Sequence, residues 1–140
     1  MDKPSIIRLL IRVNRQRRDL MKPYYSAIGM TSFQVSTLAC IADHPGRMQK
    51  EIAEDIGVSP TVMVGILRNL EEKNLIECSR KANNRRAISV SLTEEGEKLM
   101  EIINVDVRKS AAIALYGFTP EEQDQLSTLL LRICDNLQKQ

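Results

Sequence analysis

Apolar residues recur every three or four positions through most of the chain, and the places where that rhythm stops mark out its parts. From Ile6 the spacing runs through Leu10, Val13, Leu20 and Tyr24, with Arg8, Arg12, Arg15 and Arg18 largely off that face. This predicts a helix over residues 4–26, with Pro4 in its first turn and Pro23 kinking or weakening its last. Gly29 breaks the pattern. Thr31, with Gln34 three residues on, then reads as a capping box for a second helix through Val35, Leu38 and Ile41. His44-Pro45-Gly46 ends it, because the residue before a proline avoids the α region and glycine permits the turn. A short helix over about 48–56 turns Ile52, Ala53 and Ile56 inward, and Gly57 is its expected left-handed cap. Ser59 as N-cap and Pro60 at the first position open the next helix, over about 60–73. Met63, Ile66, Leu67 and Leu70 form its buried stripe, and Asn74 is its expected left-handed stop.

Beyond Asn74 the apolar period shortens to that of a strand. Ile76–Arg80 and Ala87–Leu92 are short and β-prone, and the connection KANNRR carries turn-tolerant asparagines. Helix, three-residue turn, helix, hairpin is the order of a winged helix-turn-helix. Thr93 then caps another helix, with Glu94, Glu95 and Glu97 in its first turn, where they favour the dipole. Leu99, Ile103, Val107 and Ala114 make its stripe, and Gly117-Phe118 breaks it. Thr119-Pro120-Glu121-Glu122 is a full capping box for a last helix expected to bury Leu126, Leu129, Leu130, Ile133 and Leu137. The first and last helices are hard to bury on so small a core, so their stripes are expected to pack on a second copy. The expected fold is mainly α with a small β-hairpin wing. It divides into a winged helix-turn-helix lobe over 31–97 and dimerisation helices over 1–30 and 98–140.

At 140 residues the chain is one domain by size and needs no disulfide or metal to fold. It has no apolar run near the roughly 20 residues of a membrane span and no signal-peptide pattern at MDKPSIIRLL, which predicts a cytoplasmic protein with no membrane partner. Cys40, Cys78 and Cys134 are far apart and lack zinc spacing. They read as reduced, mostly buried thiols, with Cys78 alone near a cation, at Arg80. The single histidine, His44, has no nucleophile or metal partner in view, and no Gly-rich phosphate loop is present, so neither an enzyme nor a cofactor is expected. Charge is uneven: residues 1–93 hold 15 basic and 9 acidic residues, a net of +6, whereas 94–140 hold 5 and 9, a net of −4. Between Glu77 and Glu94 there is no acidic residue, while Arg80, Lys81, Arg85 and Arg86 lie there. A basic tip beside a helix-turn-helix fits the neutralisation of DNA phosphates.

The chain resembles the multiple-antibiotic-resistance regulator (MarR) family of winged-helix transcription factors. The resemblance runs through Gly29-Met30-Thr31 with Gln34 and Leu38, His44-Pro45-Gly46, and Gln49-Lys50-Glu51-Ile52-Ala53. It continues through Leu70-Glu71-Glu72-Lys73-Asn74-Leu75-Ile76, Arg85-Arg86-Ala87 and Leu92-Thr93-Glu94-Glu95-Gly96. It covers about residues 5–137, and its force lies in the order and spacing of these pieces together. It implies a homodimer that binds pseudo-palindromic duplex DNA, with the helix over about 60–73 in the major groove. Arg86 would reach the minor groove, where groove width is read more than base identity. The candidate DNA contacts are Lys50, Ser59, Pro60, Thr61, Val62, Gly65, Arg68, Asn69, Arg80, Arg85 and Arg86. Family members commonly repress transcription and release DNA when a small phenolic or lipophilic ligand, or an oxidant, acts on them. Met21, Tyr24, Tyr25, Met30 and Met100 are the candidates to line such an effector cavity. Peroxide-sensing members use a lone cysteine early in the first helix, and none precedes Cys40, so no switch of that type is expected.

The sequence departs from the family pattern at three places. Asn84 stands where an aspartate often orients the wing arginine, and an amide forms no ion pair. Met48 stands where a threonine usually caps the third helix. The face expected to meet DNA is lean, with Val64 and Gly65 at positions often polar or arginine. That leanness motivates an alternative: a winged-helix protein-interaction module with weak or non-specific DNA binding.

Overall fold

The structure, a computed structural model, describes residues 2–81 and 84–140, with the side chains of residues 80–87 outside the description. Among the described residues nine elements follow in order: α1 (Ile6–Ala27), α2 (Ser32–Asp43), β1 (Arg47–Met48), α3 (Gln49–Ile56), α4 (Pro60–Glu72), β2 (Ile76–Lys81), β3 (Asn84–Leu92), α5 (Glu94–Ala114) and α6 (Pro120–Gln138). The fold is mainly helical, with one antiparallel sheet in the order β1-β3-β2. It is a winged helix-turn-helix. The chain forms two compact units, Met1–Val107 and Arg108–Gln140, so the division falls within the sequence of α5.

Caps set most of the boundaries. Ser5 caps α1 through the Arg8 amide at 3.2 Å, so Pro4 lies before the helix and not in its first turn. Pro23 does not end α1, which continues to Ala27. The expected capping box forms at α2: Gln34 N–H donates to Thr31 Oγ1 at 3.1 Å, and Thr31 N–H donates to Gln34 Oε1 at 2.9 Å. An equivalent box at Thr119 and Glu122 opens α6. Met48 precedes α3 without a side-chain cap, as its chemistry dictates.

The first unit has a continuous apolar core. Val35, Leu38 and Ile41 of α2, Ile52 and Ala53 of α3, and Met63, Leu67 and Leu70 of α4 meet Val90 of β3 and Ile103 of α5. The expected stripes of α2, α3 and α4 are therefore the ones that pack, with Ile56 and Ile66 at the margin. The stripe of α1 is different. Met21 and Tyr25 are buried, while Ile6, Val13, Leu20 and Tyr24 remain exposed. In α6 no residue is buried, and Leu126, Leu129, Leu130 and Leu137 are all exposed within this single chain, contrary to the expectation that the helix buries them. Ala114 of α5 is likewise exposed.

The hairpin is longer than its sequence suggests. Its strands pair from Ile76 with Leu92 through Arg80 with Ile88, then shift register so that Lys81 pairs with Asn84. Residues 85–87 form the irregular part of β3 opposite that shift. Arg47-Met48 adds a third strand that periodicity does not announce, pairing with Val90 and Ser89. Two residues are too few to show alternation, so only the neighbouring strand reveals them.

Candidate nucleic-acid interface

Local chemistry holds α4 in place on α3. Gly57, at φ 79°, takes the left-handed conformation that a Cβ disfavours, and its amide donates to Ala53 O at 2.9 Å. Val58 N–H donates to the same carbonyl at 3.1 Å. One residue later Ser59 Oγ accepts from the Val62 amide at 3.2 Å, and Pro60 occupies the first turn. The turn is thus only Gly57-Val58-Ser59. At the far end Asn74, at φ 60°, stops the helix as its sequence predicts. Lys73 Nζ then ties that end to the Gly29 carbonyl at 2.7 Å, a tether that spacing within one helix does not reveal.

With Met63, Leu67 and Leu70 turned inward, the opposite side of α4 is open. Ser59, Pro60, Thr61, Val62, Val64, Gly65, Arg68 and Asn69 are all exposed there, and Lys50 is exposed on the first turn of α3. Among the described residues neither Lys50 nor Arg68 is engaged in an ion pair, so both ammonium and guanidinium are available. Arg80, Arg85 and Arg86 lie on the hairpin strands by backbone, but their side chains fall outside the described residues. The structure therefore leaves the α4 candidates exposed on that helix and Lys50 exposed on α3, and leaves the reach of the wing arginines unstated.

One cluster escapes sequence reading altogether. Arg47 of β1 pairs with Asp55 at the end of α3, donates through Nη1 to Cys40 Sγ of α2 at 3.3 Å, and lies 3.8 Å from Glu51. It pins α3 to the sheet. Desolvation raises the Cys40 thiol above its ordinary value, and Arg47 only partly offsets this. The thiols are also more open than expected: Cys40 is half-buried, and Cys78 and Cys134 are exposed. Among the described residues the charge that acts on Cys78 is negative. Desolvation first, then the hydrogen bond and negative charge of Glu71, push its thiol up to about 11.

The effector candidates separate into two groups. Met21, Tyr25, Met30 and Met100 are buried, whereas Tyr24 is exposed. Tyr25 and Met30 line a cleft of about 710 Å³ with Arg17, Arg18, Lys22 and Phe33; Met21, Tyr24 and Met100 do not. Desolvation raises the Tyr25 hydroxyl pKa, with Arg17 opposing and Asp106 adding to the shift. The cations were within reach of sequence reasoning, since Lys22 lies one turn, and Arg17 and Arg18 about two turns, before Tyr25 on the same helix.

Residues 30–88 match the profile described as MarR family. Over that segment the chain is similar to the MarR family. This is a family of DNA-binding transcriptional regulators and not of enzymes. The chain is 27% identical over 135 residues to the uncharacterized HTH-type transcriptional regulator YybA of Bacillus subtilis (strain 168), covering 96% of this chain and 90% of that protein. The crystal structure of the transcriptional regulator SlyA is 26% identical, with a TM-score of 0.88 over 97% of this chain and 96% of that one. A putative MarR family transcriptional regulator from Listeria monocytogenes, solved in complex with 26mer DNA, shares the fold at a TM-score of 0.89. It is 24% identical and covers 96% of this chain and 90% of its own. No described helix is long and apolar enough to cross a membrane.

Proposed function

We propose that this chain acts as a homodimeric, ligand-responsive repressor on pseudo-palindromic operators in the cytoplasm. The observation that carries this reading is the outward face of α4, fully exposed on a helix whose other side anchors the core. In the proposed complex α4 lies in the major groove, with Thr61, Val62, Gly65, Arg68 and Asn69 toward the bases. Arg68 and Asn69 have the forked donor and acceptor geometry that reads guanine and adenine. Lys50, Ser59, Pro60, Arg80 and Arg85 meet the backbone, and Arg86 enters the minor groove. The lobe over 31–97 thus does the reading, and residues 1–30 and 98–140 pair the subunits. Support for pairing comes from the apolar side chains left in solvent on α1 (Ile6, Ile7, Ile11) and α6 (Leu129, Leu131, Leu137), which a second copy would cover. The Listeria protein solved with DNA supports the duplex as partner.

An effector fits the cleft at Tyr25 and Met30, where Phe33 and Ile56 offer an apolar wall and the cations Arg17, Arg18 and Lys22 outnumber the carboxylates of Asp19 and Asp55. A small phenolic or lipophilic molecule bearing an anionic group matches that lining. The test is selection of bound duplexes from a random pool, repeated with candidate phenolic ligands present. Enrichment of a pseudo-palindrome that the ligand releases is the expected result. The exposed Val62 and Val64 favour one rival, a winged-helix module that binds protein instead. Failure to bind any DNA, even at low salt, turns the assignment to that rival.

A further inference from the structure

Gly65 occupies the middle of the exposed face of α4. On a helix the surface neighbours of any position are those three and four residues away, and for Gly65 these are Thr61, Val62, Arg68 and Asn69. All four are exposed. Gly65 is therefore the floor of a notch, bare helical backbone ringed by the side chains assigned to base reading.

Among the described residues nothing accounts for a glycine there. Its φ is not left-handed. A Cβ built on it would meet no atom within 4 Å. Glycine is among the poorest residues for a helix interior, so alanine would serve this fold better. The contrast with Gly96 is direct, since a Cβ there would run into the Leu75 carbonyl. The wall at Val62 is apolar, and its side chain is 51% exposed. A branched aliphatic side chain left in solvent beside a missing one suits an apolar knob. In the major groove the apolar knob is the thymine 5-methyl group, which stands out from the groove floor.

We propose that Gly65 lets α4 approach the base edges more closely than a side chain there would allow, and that Gly65 and Val62 together seat a thymine methyl. This rests on the DNA-reading function proposed above and names what that site reads. It makes the chain selective for thymine at one position of each half-site, by shape and apolar contact, with Arg68 and Asn69 left to read the neighbouring pairs.

Two measurements on the full chain test it. In the first, each thymine of the selected operator is replaced singly by uracil, which removes only the methyl. One position per half-site is expected to lose about fourfold in affinity, the worth of a buried methyl, and Val62→Ala is expected to erase that loss. In the second, Gly65→Ala is expected to raise Tm by roughly 3–5 °C yet weaken operator binding about tenfold, a cost of the order of one misread base pair, with Gly65→Leu weaker still. An operator affinity unchanged in Gly65→Ala, a fall in its Tm, or insensitivity to every uracil replacement overturns the notch. If the wild-type chain selects no operator at all, the regulator reading fails and the notch fails with it. If it selects one and only the Gly65 and uracil arms are silent, the regulator reading stands alone.

Discussion

At the scale of single residues, the joint between α4, β2 and α5 shows how one atom decides what is allowed. Thr93 Oγ1 donates to the Asn74 carbonyl at 2.7 Å and accepts from the Gly96 amide at 3.0 Å, while the Thr93 amide donates to Leu75 O at 3.1 Å. The first turn of α5 thus presses on the chain reversal after α4, and Gly96 lacks a Cβ because the Leu75 carbonyl fills that space. Gly96→Ala is expected to cost about 1–3 kcal/mol, since rigid backbone must move; a urea midpoint equal to wild type would refute the contact. Cys78 offers a titration. Its thiol stands at about 11 against an ordinary 9.0, so the neutral form is the one the fold favours. The associated stability is complete below pH 9.0 and is lost as pH rises through about 11. Alkylation of Cys78 should accelerate only toward that upper value, and Glu71→Gln, which removes the adjacent anion, should bring its midpoint down.

Among elements, the helix-turn-helix depends on caps and on one cross-element cation. Ser59→Ala removes the acceptor of the Val62 amide and is expected to destabilise by about 1 kcal/mol. The loss should appear in thermal unfolding, and an unchanged Tm would show the cap to be idle. Arg47 does its work across three elements, reaching Cys40 on α2 and Asp55 on α3 from β1. A double-mutant cycle on Arg47→Ala and Asp55→Ala should return a coupling of about 1 kcal/mol, the scale of a partly exposed pair. Additive losses would mean the pair contributes nothing. Strand β1 and this clamp were illegible in the sequence for one reason: both exist only because β3 comes back alongside residues 47 and 48.

For the whole molecule, the uncovered apolar faces of α1 and α6 bear on the proposed dimer. Leu129→Asp, at an exposed position of α6, should leave the single chain folded and shift sedimentation toward monomer. A dimer of wild-type strength in that variant would remove α6 from the proposed interface. The wing belongs to this scale because its proposed effect on affinity is electrostatic. Replacing Arg86 by alanine should weaken operator binding and lower the slope of log affinity against log salt by about 1. If both are unchanged, the wing assignment is wrong.

The sequence by itself determined what short-range physics controls. The capping boxes at Thr31 and Thr119, the left-handed stops at Gly57 and Asn74, and the stripes of α2 to α4 were legible because caps and helical spacing involve residues four positions apart or fewer. The exposed face of α4, proposed to read DNA, followed from the same spacing, and so did the position of Gly65 within it. Tertiary structure decided whatever depends on residues distant in sequence. It settled which half of the α1 stripe is buried, that α6 buries nothing within one chain, and that Tyr25 and Met30 share a cleft while Tyr24 and Met100 do not line it. Hydrophobic pattern says that a face must be covered, because apolar surface in water is costly. It does not say by what, since any complementary surface serves, whether another helix of the same chain or a partner molecule. That is also why Gly65 reads as a weak point in the sequence and as a bare, unhindered floor in the fold.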